Sequence, residues 1–461
     1  MRRKIDDKLE YWLKNRSTAL LIKGARQVGK SYSIINFIKN HLSSFIIIDF
    51  SKNNELLESL ARINSSQELL LRLSSTYGRK LIKKDTIIFL DEIQLLYIKR
   101  QELIENKIIS STSQDLLTAM KDLVQKGDYR FILSGSLLGV TLNNIVLYPM
   151  GYMDVMTMYP MDFEEYLWAK GIDEDTIAYL KKCFINKEKV DELVKAMFLK
   201  YFREYVIIGG MPEVVKNFIK EQNLYLVNLV QNQIIGYYKM DVTRYISDLE
   251  KRMRVMNIYD AISGEINAKN KKFVSSHIID KNYLTHNNLI DEYLWLYYAG
   301  IAIPIYNVDE PVSPLSISAN HKTLKLFVND IGLLNAMLLT TGIREKLLNG
   351  EKEINFGAPY ENAVAQELIA HGYVEKTFYY SSKKQGEVDF ILQDRFNVLP
   401  IEVKSGKPNA HNTYNHAALN NIISLYDYNS AYVFGEGNIQ KESEIITSFP
   451  IYMIMFINFD E

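Results

Sequence analysis

Apolar Ala19-Leu20-Leu21-Ile22 runs into Gly24-Ala25-Arg26-Gln27-Val28-Gly29-Lys30-Ser31, and helix-like Tyr32-Ser33-Ile34-Ile35-Asn36-Phe37-Ile38 leaves it. The eight residues have the G-x-x-x-x-G-K-[ST] spacing of a phosphate-binding loop. Glycines let the backbone wrap closely around a polyphosphate, and the N–H groups of the turn and helix start point at the anion. In this pattern Lys30 reaches the β- and γ-phosphates and Ser31 holds Mg²⁺. The loop works between a buried strand and a helix N-terminus, so it predicts an α/β layer that binds a nucleoside triphosphate.

Residues 1 to about 165 sustain that rhythm. Phe45–Phe50, Asp85–Glu92, Tyr129–Ser136 and Val155–Pro160 each read as an apolar strand with polar residues at its carboxyl end. Open parallel sheets place ligands at that end. Thr86-Ile87-Ile88-Phe89-Leu90-Asp91-Glu92 has the Walker B pattern. Asp91 would bind Mg²⁺ beside Ser31, and Glu92 would orient and activate the attacking water. Ser134 and Ser136 end the next strand, where one would sense the γ-phosphate or position water; turn chemistry around Gly135 is the plainer reading. Arg26, Arg130 and Arg203 are available as an arginine finger, and spacing does not choose among them.

With 461 residues the chain is long enough for about three domains. A net charge of −1 gives no global pull toward nucleic acid or anionic lipid, so such binding would need local patches. Cys183 is the single cysteine, which excludes an internal disulfide and a cysteine-based zinc site. The charged start, Met1-Arg2-Arg3-Lys4, lacks a signal-peptide core, and Ile451–Ile457 is too short to span a membrane. That last run reads as a buried final strand, and the expectation is a cytoplasmic protein with no membrane partner. Residues 162–240 read helical, broken at Gly209-Gly210-Met211-Pro212, and a further helical stretch covers about 241–300. Strand-like Ile301–Tyr306 and Lys325–Val328 follow, and a second α/β unit starts near 355.

That last unit carries a second constellation. Gly386–Leu392 and Val398–Gly406 look like two strands turned by Asp394-Arg395-Phe396-Asn397. Strand periodicity puts Glu402 and Lys404 on one face, and a hairpin so paired lets Asp389 face Glu402. Glu361, on a helix over Tyr360–Leu368, is available to the same metal. Carboxylates that hold Mg²⁺ and a lysine that steadies the attacking water are what metal-assisted phosphodiester hydrolysis needs. Solvated charges on an edge strand are the plainer reading. A nuclease-like fold kept only for binding or structure is a third.

Taken together these segments resemble a prokaryotic AAA-type ATPase family with a C-terminal domain of unknown function. The resemblance rests on the phosphate loop with its Arg26-Gln27 pair, Phe89–Gln94, Tyr159–Glu165, Gly209-Gly210-Met211-Pro212-Glu213, Tyr238–Tyr245, Asn329–Leu334 and Ile401–Gly406. It implies an α/β architecture: a P-loop AAA-type ATPase core over 1–165, a helical lid over 166–240, a winged-helix-like helical segment over 241–340, and a restriction-endonuclease-like PD-(D/E)xK domain over 341–461. Lys30, Ser31, Asp91 and Glu92 match the family's ATPase positions, and Glu361, Asp389, Glu402 and Lys404 the nuclease-like ones. Gly151-Tyr152 departs from it, since members often carry a basic residue after that glycine. The expectation is an ATP- and Mg²⁺-dependent ATPase acting on DNA through its middle and C-terminal domains. The rival is a nucleotide-state switch with an inert nuclease-like domain. Lys239, Arg244, Lys251, Arg252, Arg254, Lys269, Lys271 and Lys272 form a basic cluster for phosphate contact, interleaved with Asp241, Asp248, Glu250, Asp260 and Glu265. A homo-oligomer and a protein partner both stay open.

Overall fold

The computed structural model describes residues 1–78, 81–136, 151–267, 289–348, 357–395, 397–406, 408 and 414–458. The chain forms two units, one of Arg2–Tyr159 with Tyr298–Gly300, the other of Pro160–Tyr297 with Ile301–Glu461.

In the first unit β1 (Ala19–Lys23), β2 (Phe45–Asp49), β3 (Ile87–Asp91), β4 (Arg130–Gly135) and β5 (Met153–Thr157) form one sheet in the order β2-β3-β4-β1-β5. Every pairing is parallel. Parallel sheets are covered on both faces, which is why β1 and β3 are apolar runs rather than alternating ones. Leu21, Ile48, Leu90 and Leu133 of the strands share a buried core with Leu60, Leu96, Leu116 and Leu123 of the helices Asn54–Ala61, Ile93–Glu105 and Leu116–Gln125. β5 lies earlier than the Val155–Pro160 stretch expected for it. It stops before Pro160, which has no N–H to give a ladder.

The second unit is built on an eight-stranded mixed sheet, β12-β13-β11-β10-β9-β8-β6-β7. Its strands are β6 (Ala302–Val308), β7 (Ala319–Val328), β8 (Thr377–Ser382), β9 (Gly386–Asp394), β10 (Asn397–Val403), β11 (Ala431–Gly435), β12 (Gln440–Lys441) and β13 (Ile446–Pro450). The line expected between 340 and 341 therefore separates strands of a single sheet. The line between 240 and 241 falls inside the helix Leu224–Tyr245. The β9–β10 turn is tighter than the four residues expected, because Asp394 and Asn397 pair with each other.

The apolar end is a correction. Ile451–Phe456 is a 3-10 helix, and the strand is the preceding Ile446–Pro450. All six residues are buried, so the run has no periodicity by which to tell strand from helix. Among the described residues no helix is long and apolar enough to cross a membrane.

Candidate functional site

Gly24 opens the loop at a point of close approach: a Cβ placed there would lie 2.1 Å from the Met158 carbonyl oxygen. Ala25 and Val28 are buried, Arg26 is half-buried, and Gln27 is exposed with φ 69°. Gly29 at φ 96° is the N-cap of the helix Lys30–His41, which puts Lys30 and Ser31 in its first turn. Lys30 Nζ donates to the carbonyls of Gly24 at 2.9 Å and Ala25 at 2.7 Å, so the loop curls around its own lysine.

Register carries the acids to the same end of the sheet. Ile22 of β1 pairs with Ser134 of β4, and Leu133 of β4 pairs with Leu90 of β3. Asp91 thus ends β3 one strand beyond Ser134, whose hydroxyl donates to the Asp91 carboxylate. Ser134 is fully buried, and in this structure its hydroxyl orients the carboxylate expected to bind the metal. Gln94 donates to Ser136 at 3.3 Å and also to Glu92. Glu92 adopts φ 56° as N-cap of Ile93–Glu105. Burial lifts its pKa above the ordinary carboxylate value, Asp91 adds to the rise, and Lys30 and Arg26 oppose it. Those couplings bring the phosphate loop and the predicted water-activating acid within electrostatic reach of each other.

Sequence reading missed Arg3. Its guanidinium is buried and donates to the carbonyls of Val28 at 2.9 Å and Tyr159 at 2.8 Å, bracing the loop from below. A lone arginine in a charged N-terminus gives no periodic signal. Two arginine-finger candidates are engaged elsewhere. Arg130 donates to the carbonyls of Trp12, Leu13 and Arg16 and stacks on Trp12, while Arg203 pairs with Glu436 at 2.8 Å.

In the second unit the structure brings the four C-terminal residues together. Asp389 of β9 accepts from the Val403 N–H at 2.9 Å, the pairing that sets it opposite Glu402. Lys404 Nζ lies 2.6 Å from Glu402 Oε1. Glu361, on the buried helix Gly357–Ala370, joins through a residue not anticipated, Lys325 of β7. That lysine is buried, with Nζ 3.8 Å from Glu361, 3.9 Å from Asp389 and 2.7 Å from Glu387. Burial opposes its charge, but Glu361, Asp389 and Glu387 outweigh that and hold its pKa above the ordinary value. Burial first, then Asp389, pushes Glu402 up to about 8 against the pull of Lys404. Glu402 Oε2 is buried and makes no hydrogen bond to any described residue. An oxygen so placed, beside two further carboxylates, fits a divalent cation.

The basic cluster is largely committed internally. Lys239 pairs with Asp260 at 2.6 Å, and Arg254 pairs with Glu292 at 2.6 Å and Glu250 at 3.6 Å. Arg252 donates to the Ile246 carbonyl, and Arg244 sits over the Tyr245 ring. Lys269, Lys271 and Lys272 lie outside the described residues.

Residues 16–167 match the profile of an AAA domain. Residues 199–345 and 356–454 match two domains of unknown function, DUF8612 and DUF4143. An uncharacterized protein of Methanocaldococcus jannaschii, MJ1544, is 24% identical over 386 residues, covering 81% of this chain and 71% of its own length. Among solved structures, the Walker-type ATPase PABY2304 of Pyrococcus abyssi aligns at 16% identity over 73% of this chain and 95% of its own, with a TM-score of 0.44. The Thermotoga maritima RuvB Holliday junction branch migration motor aligns at 12% identity over 70% and 92%, with a TM-score of 0.30.

Proposed function

We propose that this chain, whose residues 16–167 are an AAA-type P-loop ATPase domain, hydrolyses ATP with Mg²⁺ and couples turnover to the acidic centre of its C-terminal region. The observation that carries the ATPase reading is the register that sets Asp91, bonded to Ser134, at the carboxyl end of the same parallel sheet whose β1 runs into the phosphate loop. Lys30 and the loop N–H groups hold the phosphates, Ser31 and Asp91 hold Mg²⁺, and Glu92 takes a proton from the attacking water. A carboxylate with a raised pKa is a better base for that step than an ordinary one.

Glu361, Asp389 and Glu402 with Lys404 support metal-assisted cleavage of a nucleic-acid phosphodiester. In that reading the carboxylates hold the cation and Lys404 steadies charge on the reacting phosphate. A specific observation favours the rival switch: Lys325 already stands among the same carboxylates as an internal cation. In that case ATP binding and hydrolysis redirect a partner-binding surface and the acidic centre is structural.

Two assays decide between them. Steady-state ATPase should vanish in Lys30→Ala with loss of nucleotide affinity, and fall by about 10²–10⁴-fold in Glu92→Gln with affinity retained. DNA and RNA cleavage is then measured with ATP and Mg²⁺ or Mn²⁺ for wild type, Glu402→Ala and Lys404→Ala. Cleavage lost in both variants supports the nuclease reading, and a wild type that hydrolyses ATP without cleaving either nucleic acid overturns it.

A further inference from the structure

Three further side chains converge in the second unit: Asp162, Glu367 and His371. One ligand atom from each lies within 4.8 Å of the others. His371 Nε2 is 3.6 Å from Asp162 Oδ2 and 3.8 Å from Glu367 Oε2. The two carboxylates are almost fully buried, and the imidazole retains 11% exposure. We propose that this cluster is a binding site for a divalent transition-metal ion of the Zn²⁺ or Mn²⁺ class.

The fold holds each carboxylate by its other oxygen. Asp162 Oδ1 accepts from the Glu165 N–H at 2.9 Å and caps the helix Phe163–Ala169. Glu367 Oε1 accepts from the Phe163 N–H at 2.8 Å and the Tyr205 hydroxyl at 3.1 Å. Burial raises the Tyr205 pKa, with Glu367 adding to it, so that hydroxyl stays a donor. Such outer hydrogen bonds orient the ligands of metal sites. His371 follows Glu367 by four residues, where helical spacing sets both over one face. Neither ring nitrogen of His371 hydrogen-bonds to a described residue.

Charge argues the same way. Burying two carboxylates side by side is costly, and a divalent ion held by both and by a neutral imidazole offsets that cost. Ligands about 2.0–2.1 Å from a tetrahedral ion stand about 3.3 Å apart, so the two His371 contacts need to close by only a few tenths of an ångström and the two carboxylate oxygens, within 4.8 Å of each other, by at most about 1.5 Å. Three protein ligands leave one position for water, and the exposed edge of His371 gives the ion a way in.

The test is metal content by mass spectrometry on the full chain, without nucleotide, after equilibration with micromolar Zn²⁺ or Mn²⁺ and desalting. Wild type, His371→Ala, His371→Gln and Glu402→Ala are compared, with circular dichroism confirming the fold. Both His371 variants should retain one equivalent fewer than wild type, or bind it at least about tenfold more weakly, while Glu402→Ala keeps the equivalent that they lose. Substituted with Co²⁺, wild type should show d–d absorption that the His371 variants lose. A folded His371 variant that retains as many equivalents as wild type overturns the site, as does a wild type that retains none.

Discussion

The Arg3 guanidinium donates to the Val28 carbonyl at 2.9 Å and, through its other terminal nitrogen, to the Tyr159 carbonyl at 2.8 Å. One buried cation thus ties the phosphate loop to the segment that leaves β5. Arg3→Ala leaves both carbonyls without that donor, at a cost of about 2–4 kcal/mol of stability. Lysine lacks the planar fork and should not restore it. Denaturant unfolding reads the first effect, and a weakened ATP affinity in Arg3→Lys reads the second. An Arg3→Lys variant with wild-type affinity would show that the loop needs no brace.

Glu92, the proposed base, should set the acid limb of ATP hydrolysis. Burial and Asp91 raise its pKa over the opposition of Lys30 and Arg26, so it protonates at a higher pH than an ordinary glutamate. A base is lost on protonation, so kcat should fall as pH drops through that raised value. Glu92→Gln should lower kcat by about 10²–10⁴-fold and abolish the limb. A pH–rate profile measured with saturating ATP checks it, and an unchanged acid limb in the variant would assign the proton to another group.

Two glycine-bearing motifs meet in the second unit. Asp330 accepts from the Gly210 N–H at 2.6 Å and caps its own helix at Leu333. Burial raises its pKa to about 6. A Cβ on Gly332 would lie 2.2 Å from the Ile208 carbonyl oxygen. Gly332→Ala should therefore destabilise the protein by about 1–3 kcal/mol through overpacking. Calorimetric melting of the variant measures it, and an unshifted midpoint would mean that the two segments slide apart without cost.

This junction shows what the sequence could and could not disclose. The phosphate loop, the Asp91-Glu92 strand end and the Asp389–Glu402 pairing were legible because each depends on local spacing or a period of two. Gly209-Gly210 and Asn329–Leu334 were noticed only as points of resemblance, since their role lies in a packing contact 120 residues apart in sequence. Lys325 opens a run, Lys325–Val328, that reads only as strand-like, and the sheet order that brings β7 into the unit of β9 and β10 is set by tertiary packing. Glu367 and His371 show helical spacing, but Asp162 comes from 205 residues upstream of Glu367. The terminal apolar run was misread because uniform burial erases the period that separates strand from helix.

Glu402 predicts a pH dependence of stability. Its pKa rises from 4.5 to about 8 on folding, by burial and by Asp389. Below about pH 4.5 the carboxyl is protonated folded or unfolded and contributes nothing. Between about 4.5 and 8 the unfolded state gives up the proton more readily, so this group's contribution falls as pH rises and levels off above about 8. Glu402→Gln should flatten that part of the stability profile. Mn²⁺, which favours the ionised form, should flatten it in wild type as well. Denaturant titrations across the window, with and without the ion, provide the check, and a slope that survives in Glu402→Gln would assign it to other groups.

Lys325 separates the two roles of the acidic centre most directly. Its ammonium group stands within 4 Å of Glu361, Asp389 and Glu387, with almost no exposure to water. Removing one partner of a buried ion pair typically costs about 3–5 kcal/mol, because the charge left behind has neither water nor a counter-ion. Lys325→Met keeps the length and apolar stem of the side chain while removing that charge. If the carboxylates form a cation site, Mg²⁺ or Mn²⁺ should restore much of the lost stability by taking the place of the ammonium group. The midpoint of thermal unfolding should then rise with metal concentration far more steeply in Lys325→Met than in wild type. If the centre is purely structural, the variant will be destabilised to the same extent at every metal concentration.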